Sequence, residues 1–435
     1  MKGLIFVYGM TYGGAAISLL QPFLGFLIYV AFANLKPEAL WFWSVPPGNY
    51  SRIIAIAFLF GWLLNGAGSW RLGKAAVTVY ALLFYWAWML LGACISPAQQ
   101  ESWYTFDILS KVFLPALAGI TLINSLDRLK QLAWVLVLTQ GFLALQFNQR
   151  YYSWGINAND WNFAGLDNNG IAITSVTALG LAIFLGLHAD NWLQRIIAFA
   201  SAGLLAHVVL FSMSRGGMLA MVVTGVVAFL LIPKQPYHYF ALVIGVLVVL
   251  RLAGAEVRQE FFSSFADKEN RDASAESRFT LTRDALDVLS KHPLLGCGME
   301  NWRNVAPEYG WTRGKRVHNT WAEIGATLGL PGLLSILLFY GSCCYNLLPL
   351  TRERTAVEDP WIRGLARAVL AGTAGFFVSA AAVTVDRIEL SYYVIILGAG
   401  VLKVHSLRLV AARSTDLAPS GVAYPTIAVA SRGQS

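Results

Sequence analysis

The twenty residues NGIAITSVTALGLAIFLGLH, 169–188, carry no charge before the terminal histidine. A run of that length crosses a hydrocarbon core of roughly 30 Å as a single helix. Inside lipid every backbone N–H and C=O needs a partner within the protein, and a helix supplies one locally. A second such run, AAVTVYALLFYWAWMLLGACI, spans 75–95. With 57% of 435 residues hydrophobic and only 13% charged, the apolar side chains exceed what one soluble core can hide. The expected fold is an all-α polytopic membrane protein of about twelve transmembrane helices. Spans are expected near 4–34, 51–67, 75–95, 107–125, 131–148, 169–188, 196–212, 217–232, 239–253, 319–350, 365–385 and 390–406. Gln21-Pro22 leaves open whether the first stretch is one helix or two halves.

These spans divide the chain into N-terminal transmembrane helices (1–253), a large loop (254–318), C-terminal transmembrane helices (319–408) and a tail (409–435). The tail is small, polar and Pro/Ser-containing, as in disordered segments. The net charge of +8 does not point to nucleic acid, because the cations are scattered between apolar spans instead of forming one basic domain. They follow the positive-inside pattern. If the loop with Arg71 and Lys74 is cytoplasmic, Arg128, Lys130, Arg195, Lys234, Arg352, Arg354, Arg363, Lys403, Arg408 and Arg413 share that side. The 254–318 loop then faces away from the cytoplasm. Cys94, Cys343 and Cys344 fall in spans and Cys297 stands alone in the loop, so no disulfide framework is expected. The AFA at 31–33 resembles a signal-peptidase site, but more membrane follows it, and an uncleaved first span is expected.

Polar chemistry concentrates toward the loop. Within it, SRFTLTRDALDVLSKHPLLGCG (277–298) reads as an amphipathic helix with a Gly-rich exit. Leu281, Ala285, Val288 and Leu289 share one face, Arg283, Asp287 and Lys291 the other, and Arg278 lies on the apolar side. Arg215 sits in a tight turn between Ser214 and Gly216, just before a helix whose N-terminal amides favour an anion. His318 precedes another helix start, where the dipole keeps imidazole neutral and able to take a proton. Asn319 either caps that helix or orients His318. Glu323 either closes a capping box from Thr320 or belongs to the site.

Other polar positions carry weaker signals. Asp107 and Lys111 read as a structural i,i+4 pair. His207 reads as a hydrogen-bonded core histidine, and NANDWNFAGLDNNG (157–170) as a sugar-binding loop. Asp386, Arg387 and Glu389 form a charged turn, either a salt-bridged lid or a substrate contact. No metal cluster, Walker loop or dinucleotide fingerprint is present in the sequence, so no cofactor or metal is expected and the energy comes with the substrate.

Three stretches, FSMSRGGMLA (211–220), SRFTLTRDALDVLSKHPLLGCGMENW (277–302) and VHNTWAEIGATLGLPG (317–332), together resemble the O-antigen ligase and Wzy polymerase superfamily of bacterial membrane glycosyltransferases. The order of parts also matches. QPFLGFLIYVAFANLKPEALWFW (21–43) is similar to O-glycosylation ligases associated with exosortase systems. The resemblance implies transfer of a glycan from undecaprenyl diphosphate to an acceptor hydroxyl, either lipid A core or protein, at the periplasmic face of the inner membrane, without ATP or a required metal. It implies that Arg215 and Arg278 bind diphosphate and His318 is catalytic, with Glu323 where members keep a polar residue; Ser214, Gly216 and Asn319 are expected beside the substrate from their places at the two helix mouths. A polymerase, using a second lipid-linked glycan as acceptor, fits the same residues. A polysaccharide or lipid transporter is the reading from another class, and it calls for internal repeats and ionisable groups at mid-membrane.

Overall fold

The computed structural model describes residues 2–156, 163–252, 273–352, 359–385 and 388–416. All regular secondary structure among them is helical. The long helices are α1 (Gly3–Leu20), α2 (Pro22–Leu35), α3 (Tyr50–Leu64), α4 (Ala76–Ile95), α5 (Gln99–Leu122), α6 (Leu126–Trp154) and α7 (Asn168–His188). They continue as α8 (Trp192–Phe211), α9 (Arg215–Leu231), α10 (Pro236–Leu252), α11 (Ala273–Lys291), α12 (Thr320–Leu347), α13 (Pro360–Ala380) and α14 (Glu389–Asp416). Among the described residues, nine helical stretches are long and apolar enough to cross a membrane, and three shorter apolar helices accompany them. The chain is a multi-pass membrane protein.

The first expected span is in fact two helices. Gln21 adopts φ −129°, ψ 77°, and Pro22 opens the next helix at a position where its missing N–H costs nothing. The two run antiparallel, because Gly14 packs on Ile28 and Gly25 on Ser18. Helix α6, expected at 131–148, extends to 29 residues and falls outside the nine. Its amides lower its apolarity, and they pair internally: Gln140 donates to Asn34 (3.0 Å) and Asn148 to the Leu204 carbonyl (3.1 Å). At the C-terminus α14 continues to Asp416, eight residues beyond the expected boundary, and the remainder of the tail lies outside the described residues.

Small residues let the central helices touch backbone to backbone, the usual basis of helix association in lipid. A Cβ on Gly180 of α7 would stand 2.4 Å from the Gly372 nitrogen of α13, and one on Gly375 would stand 2.1 Å from Thr224 Oγ1 of α9. Helices α7, α9 and α13 therefore form a tight trio, which brings the starts of α7 and α9 and the end of α13 to one end of the bundle. At the opposite end Lys403 of α14 is fully buried. Its ammonium donates to the carbonyls of Ser69 (2.8 Å), Ile120 (2.8 Å) and Thr121 (3.0 Å), using all three of its protons.

The large loop builds a second, smaller core. Leu281, Ala285 and Val288 of α11 are buried as the amphipathic pattern requires, and they meet Trp302, Ala306 and Val317, with Ala322 and Ala326 of α12. On the polar face Asp287 pairs with Lys291 (2.6 Å) and accepts from Tyr309 (2.6 Å). The Gly-rich exit of α11 then docks into a break in α12. Gly329 takes φ 67°, ψ −171°, a conformation open essentially to glycine alone. The break frees an amide and a carbonyl: Leu330 N–H donates to Pro293 O and Cys297 N–H to Ala326 O, both at 2.7 Å.

Candidate active site

Arg215 opens α9, where Ser214 is the N-cap and accepts from Gly217 N–H at 3.1 Å. Met213, just before, is forced to φ 55°, which turns the chain sharply enough to leave Arg215 at the helix mouth. Two asparagines of α7 hold this turn. Asn168 donates to Ser212 O (2.9 Å), and Asn169 Oδ1 accepts from Ser214 Oγ (2.8 Å). Asp167 caps α7 through Gly170 N–H (2.8 Å). Sequence reading placed these residues only within a sugar-binding loop; the first part of that loop, 157–162, lies outside the described residues.

The turn after α13 unites the site. A Cβ on Gly216 would stand 3.0 Å from Ala382 Cβ, and Arg278 Nη1 donates to Ala382 O at 3.3 Å. Thr320, at the start of α12, donates to Val383 O (2.7 Å) and accepts from Val385 N–H (2.9 Å). Residues 382–385 therefore touch the elements that carry Arg215, Arg278 and His318. Nothing in the sequence flagged Ala382 or Val383, because their backbone carbonyls make the contacts. Asp386 and Arg387 lie outside the described residues, and Glu389 pairs with Lys36 at 3.5 Å.

His318 sits at φ 59° immediately before the α12 cap. That left-handed conformation is uncommon for a non-glycine residue. Burial holds its imidazole below the ordinary range; the Arg278, Lys315 and Arg316 cations push the same way and Asp167 opposes them. The helix dipole acts in the same direction as the cations. Burial and the surrounding cations thus favour the neutral imidazole, with Arg278 the first of those cations.

Asn319 is the cap of α12, its Oδ1 accepting from Trp321 and Ala322 N–H at 3.1 and 3.2 Å. Glu323 does not form the expected capping box with Thr320, whose hydroxyl belongs to the 383–385 turn. It reaches back beyond the cap instead, to Arg316 (2.9 Å) and Val317 N–H (3.2 Å), and accepts from Thr384 (2.5 Å). A cavity of about 30 Å³ beneath it, room for about one water, is lined by Thr105, Glu300, Glu323 and Thr384. The sequence showed Lys315 and Arg316 as two cations before His318 without singling out Arg316 as the partner of Glu323, and it gave no signal for Glu300. The remaining expectations fall away from the site. Asp107 pairs with Lys111, and His207 bonds Asn148 (2.6 Å) and Tyr152 (3.0 Å). Burial pushes the Cys297 thiol up to about 12, which leaves it unreactive.

The arrangement offers cations at a helix mouth for an anionic leaving group and a neutral imidazole for a proton. Comparison with known proteins agrees with that chemistry at the level of family. Residues 200–337 match the family model described as O-antigen ligase, a segment that contains Arg215, Arg278, His318 and the break at Gly329. Residues 1–185 match a family of unknown function (DUF5935). No curated protein matches the chain. The segment 200–337, about a third of the chain, is thus similar to the O-antigen ligase family.

Proposed function

We propose that the protein transfers a glycan from undecaprenyl diphosphate to an acceptor hydroxyl at the periplasmic face of the inner membrane. The observation that supports this reading is the 382–385 turn, which touches Gly216, Arg278 and Thr320, that is, Arg278 itself and near neighbours of the other two candidate residues, Arg215 and His318. Arg215 and Arg278 hold the diphosphate and stabilise the charge that builds on it as it leaves. The acceptor oxygen forms its bond to the anomeric carbon as the bond from that carbon to the diphosphate oxygen breaks. The acceptor proton passes to His318, and undecaprenyl diphosphate departs with the bonding electrons. One direct displacement inverts the anomeric configuration. Ser214 and Asn319 set the two helix mouths, Gly216 keeps α9 close to the turn, and Glu323 fixes the segment that carries His318.

The test is glycan transfer by purified protein in lipid, using an undecaprenyl diphosphate glycan with membrane extract as the source of acceptor. Wild type is expected to move glycan, His318→Ala to lose at least about a hundredfold, and mass spectrometry of the product to name the acceptor as lipid A core, protein or a second lipid-linked glycan. Equal transfer by both proteins, or retained configuration in the product, overturns the mechanism.

A further inference from the structure

The segment 293–299, which follows α11, descends along the flank of α4. Its upper end is fixed at the junction of α4 and α5, where Met299 O accepts from Ser96 and Ser102 Oγ, each at 2.6 Å. Back along the chain, Gly298 faces Pro97 and Gly296 faces the Ala326 and Thr327 backbone of α12. The lower end sits at the break in α12, where a Cβ on Gly329 would stand 2.2 Å from Leu294 O. The adjoining Leu328 gives the depth of that contact. Its carbonyl accepts from Trp88 Nε1 of α4 at 2.8 Å, and its side chain faces Gly92. Trp88 and Gly92 lie about 10 and 5 Å inside the end of α4, at 1.5 Å per residue. Helix α4 belongs to a stretch long and apolar enough to span a membrane, so Leu294 stands one to two helical turns inside the end of a span.

At that depth the segment turns backbone polar groups inward and apolar side chains outward. Pro293 O accepts from Leu330 N–H and Cys297 N–H donates to Ala326 O, both at 2.7 Å, while Gly296 N–H donates to His292 O at 2.9 Å. Leu294 and Leu295 are nevertheless 70% and 42% exposed. Beside them begins a stripe of exposed leucines on α12, Leu330, Leu334 and Leu338, spaced four apart so that they share one face of the span. Water would favour the reverse arrangement. Hydrocarbon requires this one, because it offers the backbone no partner and sets no penalty on an exposed leucine.

We propose that residues 293–295 form a re-entrant tip whose two leucines are immersed in the acyl chains of membrane phospholipids, continuous with the lipid that covers the leucine stripe of α12. The tip follows directly on the C-terminal end of α11. Lipid on one side and the Gly329 break on the other therefore hold the helix that carries Arg278 at a fixed height over the bilayer. This inference rests on the membrane spans of the bundle and is independent of the proposed glycan transfer.

The test places the photo-crosslinker p-benzoylphenylalanine at Leu294 of the full-length protein in nanodiscs of phosphatidylethanolamine and phosphatidylglycerol. Separate samples carry it at Leu295, at Leu334 on the α12 stripe, and at Arg283 on the exposed polar face of α11. After irradiation, intact-mass and fragment analysis identify each adduct and the position of the new bond. A phospholipid adduct at 294 is expected, with a yield within about threefold of that at 334 and at least about fivefold above that at 283, and with the bond on an acyl chain. Position 295 reads the same contact independently, so the result does not hang on one variant assembling correctly. Yields at 294 and 295 no greater than at 283 overturn the immersion, as does a bond confined to the head group or glycerol, which would put the tip at the membrane surface. A crosslinked dimer in place of the lipid adduct overturns it too, in favour of a second copy of the chain as the occupant.

Discussion

At the residue scale the electrostatics of His318 make a signed prediction. Its imidazole is held below the ordinary 6.5 by burial first and by Arg278, Lys315 and Arg316 after that, with Asp167 pulling upward. A general base works only when neutral, so activity should fall as pH drops through this lowered value. Asp167→Asn removes the upward pull, so the acid limb of the rate profile should move to lower pH; Lys315→Ala removes a downward push, so it should move to higher pH. Profiles of kcat/KM for the two variants check this, and shifts in the same direction would refute the base assignment. Glu323 gives a second test. Glu323→Ala removes one partner of Arg316 and the acceptor of the Val317 amide and should cost about 1–3 kcal/mol of stability, with activity falling in step. A stable variant that has lost only activity would move Glu323 from the frame of the site into its chemistry. Arg215, Arg278 and His318 stood out in the sequence as candidates, because an arginine at a membrane edge or on an apolar helix face and a histidine at a helix mouth are conspicuous. Ala382 and Val383 were not, since a backbone carbonyl leaves no mark on residue type.

At the element scale, helix existence was legible and helix continuity was not. Twenty apolar residues announce a span, and Pro22 marked a possible break, but only the packing of Gly14 on Ile28 shows that the chain doubles back there. Helix α12, which begins just after His318, is broken at Gly329 and takes the 293–298 segment into the break. The sequence gives a glycine two residues before Pro331, which is compatible with a kink but silent about what fills it. The Leu294 carbonyl would stand 2.2 Å from a Cβ at Gly329, and backbone cannot rotate aside as a side chain can. Gly329→Ala should therefore destabilise the protein by about 3 kcal/mol or more. It should also release the 293–298 segment to protease before the bundle melts. Proteolysis timed against thermal unfolding measures both, and simultaneous loss would show that this segment is not a separable unit.

At the scale of the whole molecule, the bundle places its chemistry at one end and most of the cations of its short loops at the other. Arg71, Lys74, Arg128, Lys130 and Arg195 gather around the starts and ends of helices far from His318, as the positive-inside pattern calls for if the site faces the periplasm. In a Cys94→Ser background, a membrane-impermeant maleimide should label Arg313→Cys from outside the cytoplasmic membrane, and Arg71→Cys only after permeabilisation. The reverse labelling would turn the protein over and remove the donor from reach. Cys343 is buried and Cys297 and Cys344 are half-buried, so the Cys94→Ser parent is labelled in parallel as the background.

Lys403 has a consequence for how the protein is made. Its three acceptors come from the loop after α3 and the end of α5, elements synthesised some three hundred residues earlier. Until α14 arrives, the carbonyls of Ser69, Ile120 and Thr121 have no such partner, and a lone lysine in an apolar helix is itself costly to insert. Each half is unfavourable alone and satisfied together. Insertion of the final helix therefore resembles a latch: a chain stopped before residue 403 leaves the seam between the loop after α3 and the end of α5 without the group that closes it.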